Sequence, residues 1–223
     1  MWKEIWEEVT DPKNGHWRLA LFWPAYLLVF FLIERLRPAA TVYTPMHSGL
    51  DDLIPFCEFF IVFYLFWFFF MAAMLVYCGF FEPKTFRRLM HYFILTFSVA
   101  VVCYLVFPNC QELRPADFSP HWWDPFGMFT KLIFSIDTTT NVCPSEHVIG
   151  ALGVVFAARD TKRFSSAKWT VFITAQAVLI CLSTLFIKQH SVVDVAAALP
   201  VCLAGWLFCF HGERRREQKH ERL

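Results

Sequence analysis

Charge is scarce in this chain. Lys and Arg number 20, Asp and Glu 19, together 17% of 223 residues, and the formal net charge is +1. Hydrophobic residues make up 57% and aromatic residues 19%, with 27 phenylalanines. A soluble domain of this length rarely carries so much apolar surface, whereas a polytopic membrane protein must. No cluster of His, Cys, Asp or Glu has metal-ligand spacing, so no metal and no cofactor are implied. The eight cysteines make no disulfide scaffold. Cys57, Cys78, Cys103, Cys181, Cys202 and Cys209 sit in or at the ends of apolar runs, as small hydrophobes do. Cys110 and Cys143 bracket one polar loop and are the pair for which a disulfide is an open question. Residues 1–16, MWKEIWEEVTDPKNGH, lack the apolar core and small-residue cleavage site of a signal peptide.

What is present in quantity is long apolar sequence. A bilayer core of ~30 Å takes ~20 apolar residues per helix. Six spans are predicted, at about Trp17–Leu36, Leu53–Phe80, Phe86–Phe107, Ser145–Arg159, Lys168–Ile187 and Ser191–Phe210. The second exceeds what a span needs, so tilt or an interfacial end is expected. The fourth is short and contains glycine, and Ser145 can cap its start. The fold class is therefore all-α and polytopic, one integral-membrane domain over 1–223. It comprises an interfacial segment at 1–16, a six-helix core at 17–210 and a basic tail at 211–223. The phenylalanine-dense run Phe59–Phe70 reads as lipid-facing packing.

Basic residues set the orientation. With a cytoplasmic N-terminus, the inside segments hold Lys3, Lys13, Lys84, Arg87, Arg88, Arg159, Lys162, Arg163 and the tail residues Arg214, Arg215, Arg216, Lys219 and Arg222. The outside holds Arg35, Arg37, Arg114, Lys131 and Lys188. The positive-inside rule favours this topology with both termini cytoplasmic, and it accounts for the basic tail without a nucleic-acid partner. Three polar stretches then meet on the non-cytoplasmic face: Leu113-Arg114-Pro115, Pro144-Ser145-Glu146-His147, and STLFIKQHSVVD from Ser183 to Asp194.

Those stretches carry the chemistry. His190 and Asp194, four apart at a helix start, project from one side. The carboxylate can fix one imidazole tautomer and leave the other nitrogen free to attack, the orienting logic of a catalytic triad. A His–Asp pair that joins helices is the plainer alternative. His147 falls in the first turn of a helix, where unpaired N–H groups and the helix dipole favour an anion. It could protonate a leaving alkoxide there. Alone, a histidine at a helix start is more often a satisfied surface residue. Arg114 offers a planar fork for phosphate oxygens, or a headgroup-level anchor. Their joint occurrence on one face favours catalysis over any single bland reading.

Arg-Pro, then Pro-Ser-x-His, then Ser-x6-His-x3-Asp resembles the type 2 phosphatidic acid phosphatase superfamily of lipid phosphatases and phosphotransferases. The resemblance covers roughly residues 107–199 and implies a six-helix core with an outward-facing site. It implies His190 as the nucleophile on phosphorus, Asp194 as its orienting group and His147 as the acid and base. Arg114, Lys188, Ser145 and Ser183 would bind phosphate. The chain also departs from the pattern. Phe107 stands where the first motif has lysine, Glu146 where the second has glycine, and Thr184 where the third has arginine. Lys188 is the nearest replacement cation and Lys131 a more distant one. Glu146 could raise the pKa of His147, repel a doubly charged phosphate, or point to lipid headgroups.

The expected activity is therefore metal-independent hydrolysis of a lipid phosphate or pyrophosphate through a phosphohistidine. The reduced cation set also resembles the branch with inositol-phosphorylceramide and sphingomyelin synthases, which move a phospho-headgroup to a lipid alcohol. An inactive lipid-binding or carrier homologue is the third alternative. In every case the partners are a membrane lipid and the bilayer. The loop Pro108–Cys143, with Trp122, Trp123, Phe126 and Phe129, suits an interfacial cover, either a simple anchor or a lid over substrate access.

Overall fold

A computed structural model describes residues 12–212. Most of the interfacial segment expected at 1–16 and nearly all of the basic tail at 211–223 lie outside the described residues. A 3-10 helix, Pro12–Leu21, leads into α1 (Phe22–Leu36). Then follow α2 (Ile61–Phe81), α3 (Pro83–Val106), α4 (Pro125–Ile136), α5 (Glu146–Asp160), α6 (Ala167–Phe186) and α7 (Val192–Gly205). The last runs on as a π-helical turn, Trp206–His211. Two short strands, β1 (Thr44–Pro45) and β2 (Asn109–Cys110), pair in parallel and tie the loops after α1 and α3 together.

Among the described residues, five helical stretches are long and apolar enough to cross a membrane: Gly15–Leu36, Glu58–Phe81, Pro83–Val106, Ala167–Phe186 and Val192–His211. The span expected at Ser145–Arg159 forms α5, which has 15 residues. At ~1.5 Å per residue that helix is about 22 Å long, short of a ~30 Å hydrocarbon core.

Shortness suits where α5 lies. Its residues Val148, Ile149, Ala151, Val154, Ala157 and Ala158 are almost wholly buried, and α2, α3, α6 and α7 all pack against it. Small residues make that approach possible. A Cβ on Gly153 would stand 2.7 Å from Tyr92 Cε1 and 2.8 Å from Phe93 Cε1, both on α3. The phenylalanine run divides by face: Tyr64, Trp67 and Phe70 turn inward, while Phe59, Phe66, Phe68 and Phe69 are exposed. Tyr26 is the buried residue of α1, and Phe22, Trp23 and Phe30 pack against the core beside it, with the Trp23 ring centroid 5.3 Å from those of both Phe93 and Phe97.

The two ends of the bundle differ. At one, Arg88 Nη1 grips the Asp160 carboxylate at 2.7 and 2.9 Å, and Thr85 Oγ1 donates to it at 2.9 Å. At the other gather the loops carrying β1 and β2, helix α4, the start of α5 and the α6–α7 junction. Asn109, fully buried, staples this end. Its Nδ2 donates to Phe107 O (2.8 Å) and Cys143 O (3.1 Å), and its Oδ1 accepts from Val142 N and Cys143 N, both 2.8 Å. Cys110 and Cys143 are both free thiols. Burial pushes the Cys143 thiol up to about 12.

Candidate active site

The α6–α7 junction turns tightly because Lys188 adopts the left-handed conformation, φ 59°. The backbone carbonyl of Thr184 then accepts from both Gln189 N (2.9 Å) and His190 N (3.1 Å). Helix α7 opens with a capping box: Ser191 Oγ accepts from Val193 N at 3.1 Å, and Asp194 Oδ2 accepts from Ser191 N at 2.8 Å. The same Asp194 oxygen lies 3.3 Å from His190 Nδ1. That is a long contact, shared with the cap, and it leaves His190 Nε2 as the nitrogen not facing the carboxylate. Asp194 is fully buried, His190 is 7% exposed.

His147 meets this pair from α5. The two imidazoles stand 5.5 Å apart between ring centroids, at 65°. Rings from α2 hold His147: Tyr64 stacks on it at 4.3 Å, and Trp67 lies at 4.5 Å. Its Nε2 is buried without a partner. Both histidines line a cavity of about 600 Å³. The polar end holds Asp137, Glu146 and Gln189; the apolar remainder, with Trp23, Leu27, Met71 and Leu75, runs between α1 and α2. Glu146 accepts a hydrogen bond from the hydroxyl of Tyr26 on α1. Two further ties hold α1: Arg37 Nη2 donates to Tyr104 O at 2.6 Å, and Glu34 accepts from Thr140 and Asn141.

The expected phosphate-binding residues are arranged otherwise. Arg114 donates to three backbone carbonyls, Phe134 O (3.1 Å), Asp137 O (3.0 Å) and Thr138 O (3.2 Å), and from Nε to Gln189 Oε1 at 2.9 Å. Its guanidinium also lies over the Phe134 ring at 4.5 Å. This is an arginine closing the end of α4, where unpaired carbonyls collect. Burial lowers the Arg114 pKa, and the Asp137 charge opposes that shift. Lys188 Nζ is likewise spent on backbone, donating to Asp51 O (2.8 Å) and Ile54 O (2.6 Å).

Ser183 Oγ donates within its own helix, to Ile180 O at 2.6 Å, and Thr184 Oγ1 does the same to Cys181 O at 2.8 Å. Ser145 occupies the N-cap position of α5 without a side-chain cap, and its Oγ is buried and unpartnered. Its backbone N–H donates to Asp194 O at 3.1 Å, joining the starts of α5 and α7. Lys131 is exposed on α4. The bundle thus brings together His190, Asp194, His147, Glu146 and Ser145, holds Arg114 one residue away through Gln189, and leaves Lys131 apart.

Four residues went unread in the sequence. Asp51, 2% exposed, accepts from Ser191 Oγ (2.6 Å), Val192 N (2.8 Å) and Ser48 N (2.7 Å), so it braces the α6–α7 turn from the loop before α2. Asp137 accepts from Tyr64 OH at 2.5 Å and from Gln189 Nε2 at 3.0 Å. Gln189 and Tyr64 complete that network. Tyr64 alone had a signal, a polar handle at helical spacing from Trp67 in an otherwise apolar run.

Among the described residues, no group of three or more His, Cys, Asp or Glu is placed to hold a metal ion. Comparison of the chain with protein-family models, curated proteins and solved structures found no match.

Proposed function

We propose that this protein catalyses phosphoryl transfer from a membrane lipid through a phosphohistidine at His190, with water as acceptor in the simplest case. It is then a metal-independent lipid phosphatase. The observation that carries this reading is the meeting of a carboxylate-oriented histidine and a second histidine with an unpartnered Nε2 in one largely apolar cavity. A lipid chain fits the apolar length, and its phosphate reaches the histidines. His190 Nε2 attacks phosphorus and the bond to the lipid oxygen breaks. His147 gives the leaving alkoxide its proton. Water then attacks the phosphohistidine, His147 takes up its proton, and the N–P bond breaks. Asp194 keeps the proton on His190 Nδ1 throughout.

In this reading α5 is a sixth, shortened membrane segment, the site faces the non-cytoplasmic side and both termini are cytoplasmic, as the distribution of Lys and Arg favours. A second reading, transfer of a phospho-headgroup to a lipid alcohol, gains from the commitment of Arg114 and Lys188 to protein carbonyls. A phosphodiester carries less charge than a phosphomonoester and requires fewer free cations. Purified protein in vesicles, offered labelled lipid phosphates and phospholipids with and without an alcohol acceptor, separates the two. Phosphate released without acceptor supports hydrolysis; product that requires the acceptor supports transfer. Full turnover by His190→Ala refutes the phosphohistidine mechanism, and no turnover on any lipid refutes both readings and leaves a lipid-binding or carrier role.

A further inference from the structure

The cavity holding the two histidines is acidic and aromatic. Among the described residues that line it are two carboxylates, Glu146 and Asp137, and neither lysine nor arginine. The nearest cations, Arg114 and Lys188, are turned to backbone carbonyls. An anionic group entering this space meets no free cation beyond a protonated histidine. A positively charged group meets carboxylate and π faces.

The carboxylates are not equivalent. Asp137 is exposed and already accepts from Tyr64 and Gln189. Glu146 lies against the wall made by α1 and α3, where aromatic rings crowd round it. Tyr26, which donates to it, has its ring centroid 5.2 Å from that of Phe97 and 6.1 Å from that of Phe30. Phe30 in turn lies 6.3 Å from Tyr104. Ring faces attract an ammonium, most of all where water is displaced. A neighbouring carboxylate strengthens that attraction.

We propose that Glu146 and the rings of Tyr26, Phe30 and Tyr104 form a subsite for an alkylammonium group. The lipid handled at His190 then carries an amine, in its headgroup or at the end of its backbone. The position of the reacting phosphate rests on the phosphoryl-transfer reading above, while the amine preference is read by binding alone.

The test uses the full chain with His190→Ala, in micelles of an uncharged maltoside. Two single-chain lipids of equal length, one phosphocholine and one phosphoglycerol, are titrated against the tryptophan fluorescence of the chain, to which Trp23 and Trp67 at the cavity contribute. The phosphocholine lipid binds at least ~10-fold tighter, a difference of about 1.4 kcal/mol. Adding Glu146→Gln removes that preference and leaves phosphoglycerol affinity unchanged. Equal affinities in the starting protein, or a preference that survives Glu146→Gln, overturn the subsite. Should Glu146→Gln lose both lipids, Phe30→Leu decides: it must weaken phosphocholine alone, and an equal effect on both lipids overturns the proposal. Turnover separates the two readings. A protein that discriminates by amine yet transfers no phosphoryl group refutes the catalytic reading only, and a catalyst indifferent to the amine refutes the subsite only.

Discussion

Replacing Arg114 with alanine separates two jobs that one guanidinium could do. A phosphate clamp would lose substrate affinity and little else. The observed arrangement has the side chain closing α4 through Phe134 O, Asp137 O and Thr138 O and holding Gln189. A hydrogen bond to a charged group contributes about 1.5–3 kcal/mol when isolated, and these share one half-buried side chain, so the sum is far from additive. About 2–4 kcal/mol is a fair figure for the docked α4 segment. That corresponds to roughly 30- to 1000-fold more frequent local opening. Hydrogen exchange of the full chain in micelles, read at peptides covering 130–141, measures it. Arg114→Lys keeps the charge but not the fork and recovers little of the protection. Should exchange there stay at the wild-type rate in Arg114→Ala while lipid affinity collapses, the α4-closing role is wrong.

Further expectations concern the scaffold. Asn109→Ala strands two buried N–H groups and two carbonyl contacts, so it costs about 2–4 kcal/mol and lowers Tm in a thermal-shift assay; an unchanged Tm would contradict the staple. Gly153→Val overpacks the contact with Tyr92 and Phe93 by about 1–3 kcal/mol, whereas Gly49→Ala, with open space around it, leaves Tm unmoved. Because the Cys143 thiol is pushed up to about 12, it stays protonated at pH 8 and is alkylated only as pH climbs toward that value; maleimide mass shifts across pH report it, and rapid labelling at pH 8 would contradict the burial. Lys188→Ala frees the loop held at Asp51 and Ile54 and slows turnover much more than Lys131→Ala, whose side chain is exposed; equal, small effects would sink that bracing role.

Much of the helix layout was legible because apolar length is written directly into composition. Five of the expected spans correspond to long apolar helices, with ends moved by a few residues. The exception, α5, is short because it is central: its Gly150, Ala151, Gly153, Ala157 and Ala158 are chosen for close packing and not for lipid. Within the candidate site, the approach of Asp194 to His190 followed from their four-residue spacing at a helix start, and that of His147 to His190 from the topology that puts both at one end of the bundle. The partners of Arg114 and Lys188 did not. Both face backbone carbonyls of segments far off in sequence, and a backbone carbonyl leaves no mark on residue identity. Asp51 was hidden for a related reason: its hydrogen bonds to Ser191 and Val192 span about 140 residues, and nothing local to it distinguishes it from Asp52.

The phosphohistidine is the decisive species. Protein mixed with a lipid labelled at its phosphate, quenched in alkali within the first turnovers and digested, should carry alkali-stable, acid-labile label on the peptide containing His190. His147→Ala, which loses the acid of the first step and the base of the second, should slow both formation and loss of the label, and His190→Ala should carry none. Phosphate release at the wild-type rate from His190→Ala, or turnover with label on no histidine, would contradict the mechanism.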